Sequence, residues 1–176
     1  LKQLVAKLHG KYGSRGVLVE EFVDGREFNV ALLGNEPPRT LPVSEIDFGR
    51  FDKDMPKITS YEAKWLEDDP LYLKTPSVCP AKIDSALEEK LRKTALDVFL
   101  ALGGKDYGRV DMRCDSKGEV FVLEYNPNPC ISPDAGFAKA LKAAGLSYKD
   151  FVATLITENL ASRRSNSAKK KEAVLA

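Results

Sequence analysis

The sequence predicts a fold that combines antiparallel strands with amphipathic helices. Two turn signals between β-rich runs support the strands: Asp24-Gly25, and the stretch Asp-Ser-Lys-Gly at residues 115–118. Three segments with apolar residues at helical spacing support the helices, at 84–102, 134–144 and 147–161. We therefore expect an antiparallel sheet with helices packed on it.

The composition of the chain limits the kinds of partner that we expect it to bind. A chain of 176 residues with 43% hydrophobic residues can bury the core of one domain, or form part of a larger one. Its net charge of +1 gives no electrostatic reason to expect a nucleic acid or a membrane surface as partner. No apolar run approaches the roughly 18 residues of a membrane span. We therefore predict neither a nucleic-acid nor a membrane partner.

The cysteines and the single histidine limit the chemistry. Cys79, Cys114 and Cys130 show no CxxC spacing, which suits a reduced, cytoplasmic protein. Because His9 is the one histidine, zinc sites built on histidine and Ser-His-Asp catalysis are nearly excluded. The chain starts at Leu1, without Met and within a predicted helix, so we expect a piece of a longer protein.

The first part of the chain predicts a helix and a hairpin. Residues 2–12 have helical spacing, and strands 16–23 and 26–34 should pair around the Asp-Gly turn. Glu20 and Glu21 stand near the end of an apolar strand. Either that strand end reaches solvent, or the two glutamates belong to a site.

The middle of the chain contains a broken strand and a long loop. Residues 39–48 predict a strand that Pro42 interrupts, which places it at a sheet edge or a bend. Periodicity then disappears from 49 to 80, and a loop of more than about 15 residues is usually functional or disordered. Lys64 in this loop is either a solvated surface lysine or part of a lid that closes over phosphates.

The clearest helix spans 84–102, with Asp84 as its N-cap and Gly103-Gly104 as its end. We predict one domain over residues 1–162. The basic segment 163–176 has few apolar residues, and we expect a disordered tail there.

The most informative stretch is 105–129, which reads as two short strands around the turn at 115–118. If they pair directly around that turn, Arg109 lies opposite Glu124 and Asp111 opposite Val122. Because side chains alternate along a strand, one face then carries Arg109, Asp111, Glu124 and Asn126. The other face is apolar and should join the core: Val110, Met112, Phe121, Leu123 and Tyr125.

The polar face has a definite chemical use. Carboxylate and amide oxygens are hard ligands that suit Mg²⁺ or Mn²⁺ rather than zinc. Mg²⁺ takes a few protein oxygens and completes its shell with water and substrate phosphates. An adjacent arginine would stabilise charge on a transferring phosphoryl or acyl group. The alternative is a solvent-facing hairpin with mixed charges and a small salt bridge.

Five motifs occur in a specific order: VLVEEFVDGREFNVALLG, SYEAKWL, CPAKID, GRVDMRCDSKGEVFVLEYNPNP and AAGLSYKDFV. In this order they resemble the D-alanine–D-alanine ligase family, which belongs to the ATP-grasp superfamily. The resemblance covers roughly residues 16–160. RVD and ExNxxP at this spacing, with EEF and GRE upstream, carry a strong signal.

The resemblance implies an α+β ATP-grasp fold, of which this chain would be the C-terminal portion, with ATP held between two antiparallel sheets. The implied reaction uses ATP and Mg²⁺ (or Mn²⁺) to activate a carboxylate as an acyl phosphate, which an amine then attacks. The implied partners are a nucleotide and an amino-acid or peptide substrate, in the synthesis of peptidoglycan precursors. A homodimer is an open option.

The resemblance also assigns roles by matching position. Asp111 and Glu124 would bind the magnesium ions, with Glu124 bridging two of them and Asn126 completing one shell. Arg109 would stabilise the charge of the acyl phosphate and of the tetrahedral intermediate. Lys64 would come from the loop that folds over the γ-phosphate.

The nucleotide's adenosine would meet a second group of residues. Glu27 would hold the ribose hydroxyls. The adenine would contact Glu20, the backbone of Glu21, Phe22 and Val23, and the side chain of Leu123. Ideal alternation would turn Leu123 away from the metal face.

The chain departs from the family on the acceptor side. Trp65 stands where a tyrosine usually follows the lysine, and residues 126–130 read N-P-N-P-C where the family reads N-T-x-P-G. Ala135 replaces a serine that would hold the acceptor's carboxylate, and Ser132 is near but not aligned. The family's upstream lobe has no counterpart here, so we expect the chain alone to be inactive.

Three hypotheses follow. The chain belongs to a carboxylate–amine ligase of the D-alanine–D-alanine type, to an ATP-grasp ligase with a different acceptor, or to a non-catalytic nucleotide-binding or interaction module. The third is disfavoured by four intact residues: Arg109, Asp111, Glu124 and Asn126.

Overall fold

The computed structural model describes the chain except residues 14, 15, 53, 67 and 176, and except the side chains of residues 62, 65 and 162–175. The described strands are β1 (Arg26–Leu33), β2 (Arg39–Thr40), β3 (Ser44–Ile46), β4 (Ser77–Val78), β5 (Tyr107–Cys114) and β6 (Val120–Asn126). The described helices are α1 (Lys2–Tyr12), α2 (Tyr61–Trp65), α3 (Pro70–Lys74), α4 (Ser85–Ala101), α5 (Gly136–Ala143) and α6 (Tyr148–Leu175).

The strands form one antiparallel sheet in the order β4-β3-β1-β5-β6, and β2 also pairs with β1. Pro42 separates β2 from β3, so the predicted interruption of this strand is confirmed. Within the described residues, no helix is both long and apolar enough to cross a bilayer.

One face of the sheet is covered by α4. Asp84 caps this helix as predicted, because its Oδ1 accepts the Leu87 N–H at 2.8 Å. Phe28 of β1 and Phe99 of α4 lie in the same core and are fully buried. Burial of a side chain of this size stabilises a fold by about 1.5–3 kcal/mol, so α4 is firmly attached to this face.

The opposite face has two parts. Near the end of β1, Leu33 packs with Phe137 of α5 and Phe151 of α6, whose ring centroids are 5.3 Å apart. At the beginning of β1 the same face carries the buried polar residues Glu27 and Asn29. The helices α5 and α6 thus cover one end of this face, and the polar side chains occupy the other.

The predicted hairpin around Asp24-Gly25 is wrong. The described residues 16–24 form neither helix nor strand, and β1 begins at Arg26. One edge of β1 pairs along its whole length with β5, and the other edge pairs with β2 and β3. Since both edges are taken by distant segments, β1 has no edge left for a strand at 16–23.

A glycine precedes β1, at position 25, for a steric reason. A Cβ at this position would overlap the carbonyl oxygen of Cys114, the residue before the turn that follows β5. The glycine therefore serves close approach of two backbones rather than the predicted tight turn.

The predicted register of the central hairpin is also wrong. Asp111 lies opposite Glu124, and Arg109 lies opposite Asn126, because the connection is one residue longer than predicted and Leu123 is an extra residue in β6. The two shifts together keep the four polar residues on one face. Phe121 pairs with Arg113 and is 42% exposed, and Leu123 is 43% exposed. The predicted place of these two residues in the core is a second error.

The last helix runs further than predicted. α6 extends to Leu175, through most of the segment predicted to be a disordered tail. The side chains from residue 162 onward lie outside the described residues, and the domain boundary at 162 stays a prediction.

Candidate functional site

A guanidinium and two carboxylates meet on the polar face of β5 and β6. Arg109 donates to both carboxylate oxygens of Asp111, from Nε at 2.6 Å and from Nη2 at 2.7 Å. The same Nη2 lies 3.9 Å from Oε1 of Glu124, which is paired with Asp111 across the strands. The bidentate contact is the strong form of an arginine–carboxylate hydrogen bond, so it fixes both side chains.

Two amides extend this group. Asn29 of β1 is buried and donates from Nδ2 to Oδ1 of Asp111 at 2.8 Å. Asn126 accepts the backbone N–H of Asn128 on its Oδ1 at 3.0 Å. Asn29 therefore orients the Asp111 carboxylate, while the Asn126 oxygen shapes the loop that follows β6.

The lysine of the long loop reaches the same place. Lys64 lies in α2, and its Nζ donates to Oε1 of Glu124 at 3.0 Å. The ammonium thus lies directly beside the carboxylates, although 60 residues separate Lys64 from Glu124 in the sequence. The side chain of Trp65, the residue that departs from the family at this loop, lies outside the described residues.

Burial and neighbouring charges shift the pKa values of these groups in opposite directions. Burial raises the pKa of Asp111, and the guanidinium of Arg109 opposes that rise. Burial would also raise the pKa of Glu124, but its contact with the Asp111 carboxyl and the Lys64 ammonium outweighs it and lowers that pKa. For Arg109, the Asp111 carboxylate outweighs burial and raises the pKa of the guanidinium. Arg109 therefore stays positively charged at neutral pH.

The donor set fits a magnesium ion. No cluster of three or more His, Cys, Asp or Glu suited to a metal occurs among the described residues. Asp111 and Glu124 supply two carboxylates and Asn126 an amide oxygen, which suits an ion that completes its shell with phosphate and water. Arg109 and Lys64 now donate to these carboxylates, so an arriving cation would have to replace part of those contacts.

The residues predicted to meet the adenosine lie on both sides of Gly25. Glu20 and Glu21 are exposed in the extended segment before β1, and Phe22 is 47% exposed. Val23 is half-buried and Glu27 is 5% exposed. The structure brings Phe22, Val23 and Glu27 around one side chain, that of Arg113, and leaves Glu20 and Glu21 at the surface.

Glu27 is held by two partners. Its Oε1 accepts the Thr59 hydroxyl at 2.7 Å, and its Oε2 accepts Nη1 of Arg113 at 3.0 Å. Burial raises the pKa of Glu27, while Thr59 and Arg113 oppose the rise. Both oxygens predicted to take the ribose hydroxyls are thus already hydrogen-bonded.

Leu123 is the extra residue of β6 and is 43% exposed. The irregularity interrupts the alternation of the strand at this residue. Ideal alternation would turn Leu123 away from the metal face, but alternation is interrupted here. It is therefore no argument against a place for Leu123 at the adenine.

Two residues of this site, Asn29 and Arg113, are absent from the sequence-based prediction. The signal for Arg113 is plain alternation, since it continues the series Arg109, Asp111 along β5. The signal for Asn29 is weaker: it and Glu27 are polar residues two apart in a strand that is otherwise apolar after Arg26.

The loop predicted to lie on the acceptor side is mostly exposed, although Pro129 is buried. Ala135 is the N-cap of α5 and makes no side-chain capping hydrogen bond. The thiol of Cys130 lies 3.3 Å from the Ser132 hydroxyl. Tyr107 donates its hydroxyl to Oδ1 of Asn128 at 2.6 Å, which ties this loop to the start of β5.

A surface cleft of about 530 Å³ lies elsewhere, between β2 and α4, and is lined by Arg39, Ser85 and Arg92. It contains none of the predicted site residues. Because α4 covers the other face of the sheet, the cleft is separate from the carboxylates.

Comparison with known proteins agrees with this fold. The family model described as D-ala D-ala ligase C-terminus matches residues 2–157. The uncharacterized protein y4sG of Sinorhizobium fredii is 40% identical over 152 residues, which are 86% of this chain and 43% of that protein. The D-alanine–D-alanine ligase of Desulforudis audaxviator is 34% identical over 151 residues, covering 82% of this chain and 44% of the ligase.

Solved structures show the same architecture. The crystal structure of the D-alanine–D-alanine ligase from Bacillus anthracis, complexed with ATP, matches with a TM-score of 0.69 at 20% identity and covers 94% of this chain and 48% of that one. The chain thus spans less than half the length of these relatives. It belongs to the D-Ala–D-Ala ligase C-terminal family, and its α+β fold is the corresponding part of the ATP-grasp fold.

Proposed function

We propose that this chain is the nucleotide- and magnesium-binding part of an ATP-dependent ligase that joins a carboxylate to an amine. The observation that carries the proposal is the convergence of Arg109, Asp111, Glu124 and Lys64 on one face of the sheet. The ligase named among its relatives and the ATP in the Bacillus anthracis structure support the reaction class and the nucleotide.

In the first step, an oxygen of the substrate carboxylate attacks the γ-phosphorus of ATP. The bond from that phosphorus to the bridging oxygen of ADP breaks, and an acyl phosphate and ADP result. Magnesium held by Asp111, Glu124 and Asn126 would neutralise phosphate charge. Lys64 binds the transferred phosphoryl group, since its α2 helix already brings the ammonium beside Glu124.

In the second step, the amine nitrogen attacks the acyl carbon. The carbon–oxygen bond to phosphate then breaks, inorganic phosphate leaves, and the nitrogen loses its extra proton to solvent. Arg109 stabilises the negative charge that develops on the acyl oxygen, and its charge is secured by Asp111.

A second candidate function differs from the first only in the amine that accepts the acyl group. Ala135 supplies no hydroxyl at the start of α5, and Cys130 replaces the glycine of the family pattern. An acceptor without a carboxylate at this place would not need the missing serine. A ligase with the same activation step and a different amine acceptor is therefore the runner-up.

The test is phosphate release from ATP by the protein that contains this chain. Candidate substrates are D-alanine, other D- and L-amino acids, and short peptides, with product identified by mass spectrometry. Release that requires D-alanine and yields the dipeptide supports the first candidate, and release with another acceptor supports the second. Tight binding of Mg-ATP without release under any condition would overturn both and favour a non-catalytic nucleotide-binding module.

A further inference from the structure

Arg113 lies beneath the segment predicted to contact the adenine, with its side chain 4% exposed. Its Nε donates to the carbonyl oxygen of Val23 at 2.6 Å, and its Nη2 donates to that of Gly25 at 3.0 Å. One guanidinium thus holds the backbone on both sides of Asp24. This matters because the described residues 16–24 belong to no strand that could fix them.

The same guanidinium reaches two other elements. Its Nη1 donates to Oε2 of Glu27 on β1 at 3.0 Å and to the carbonyl oxygen of Lys57 at 2.7 Å. Lys57 lies in the loop that leads to α2, the helix that carries Lys64. Arg113 therefore connects the adenine segment, the ribose-binding candidate and the approach to the lysine helix.

Two aromatic rings complete its surroundings. The guanidinium carbon lies 5.1 Å from the ring centroid of Phe22 and 6.0 Å from that of Phe48. A planar guanidinium can stack on rings and donate in its plane at the same time, whereas a lysine ammonium cannot reproduce both. The geometry accounts for an arginine at this position rather than any other cation.

We propose that Arg113 is a positioning residue for the nucleotide: it fixes the backbone of Val23 and Gly25 and the carboxylate of Glu27 in the arrangement that receives adenosine. The inference rests on the proposed function, and it deepens it by adding a residue that acts through others. Arg113 itself need not touch ATP. Its contribution is a nucleotide site that is formed before ATP arrives.

The experiment compares R113M and R113K with a matched control, R92M, in the protein that contains this chain. Arg92 is also an arginine that donates to a glutamate (Glu88, 2.7 Å) and to a backbone carbonyl (Thr40, 3.2 Å), but on α4 across the sheet. Calorimetry measures the Kd of Mg-ATP, and steady-state kinetics measure KM for ATP and kcat. Circular dichroism and thermal melting confirm that each variant is folded.

We expect R113M to raise both the Kd and the KM for ATP by about tenfold or more, with kcat nearly unchanged. R113K should show a smaller rise, and R92M should match the wild type. If R113M does not fold, R113K is judged by the same criterion.

A folded R113M or R113K with wild-type affinity for Mg-ATP would overturn the inference and leave the proposed function standing. A fall in kcat at unchanged KM would also overturn it, because that pattern belongs to a group acting in the transition state. Failure of the wild-type protein itself to bind Mg-ATP would instead overturn the proposed function.

Discussion

Two neighbouring regions of the molecule carry the predicted ATP site, and they are held in place differently. The polar face of β5 and β6 lies on paired strands, and Asp111 is 3% exposed. The segment 16–24 before β1 belongs to no strand and exposes Leu18 at 80% and Phe22 at 47%. Backbone pairing positions Arg109, Asp111 and Glu124, whereas the side-chain hydrogen bonds of Arg113 position the backbone at Val23 and Gly25.

The two regions should therefore respond differently to mutation. Changes on the polar face should reduce the chemical step, because the strands remain in place when one side chain is replaced. Changes at Arg113 should instead loosen binding and stability, since the segment it holds has no ladder of its own.

The largest effect is expected at Asp111. D111N keeps the size of the side chain but removes the charge that Arg109 and a metal ion need, so the rate of phosphate release should fall by about 100- to 1000-fold. The control is D97N, which removes a carboxylate from an exposed i,i+4 pair with Lys93 on α4. Near-normal turnover by D111N would contradict the role proposed for this carboxylate.

R113M is expected to lower the stability of the fold strongly, and by an amount that depends on pH. Burial raises the pKa of Glu27, so the folded state binds this proton more tightly than the unfolded chain does. Protonated Glu27 therefore contributes to the stability of the fold. This contribution is complete below the pKa of a glutamate in the unfolded chain, about 4.3, and declines as pH rises through the pKa of Glu27 in the folded state. Without Arg113 the ionised Glu27 would be buried without its cation, at a cost of about 3 kcal/mol.

The destabilisation by R113M should therefore be greater at pH 8 than at pH 4, as measured by urea unfolding. The double variant E27Q/R113M removes the ionisable group and should lose this pH dependence. Equal destabilisation by R113M at both pH values would show that the ion pair with Glu27 is not its cause.

An intermediate effect on activity is expected at Lys64. K64M removes the ammonium that lies 3.0 Å from Glu124 and should lower kcat by about 10- to 100-fold through weaker stabilisation of the transferred phosphoryl group. K93M, on the exposed side of α4, is the matched lysine control. Unchanged kcat in K64M would indicate that the ammonium serves only to pair with Glu124.

The smallest effect is expected from a substitution at Ala135, which should change the stability of the fold. The backbone of Ala135 has the extended conformation of an N-cap, with φ −69° and ψ 157°. A135S would add a hydroxyl that can accept a free N–H of α5, so unfolding should require about 1 kcal/mol more. Chemical denaturation measures this gain, and its absence would show that the hydroxyl does not cap α5.

Local patterns predicted the parts of this fold that local forces decide. Asp84 and the apolar spacing after it located α4, and Pro42 located the break between β2 and β3. Alternation placed Arg109 and Asp111 on one face of β5. These results depend on residues a few positions apart, where capping and side-chain direction dominate.

The errors occur where distant segments compete. The sequence signal at Asp24-Gly25 is that of a hairpin, but β5 pairs with one edge of β1 from more than 70 residues away. Because β2 and β3 take the other edge, β1 has no edge left for residues 16–23. The register of β5 and β6 depends on the length of the connection and on the extra Leu123, neither of which alternation reveals. Arg113 could have been found from alternation, but its partners Val23 and Lys57 could not.

The extra residue in β6 has a consequence for how this chain tolerates substitution. Met112 pairs with Val122 and Asp111 pairs with Glu124, so the ladder passes over Leu123. A residue outside the ladder can be exchanged in size and shape without moving its neighbours from their partners. The predicted wall of the adenine pocket can therefore be changed at Leu123 while the carboxylate of Glu124 keeps its place.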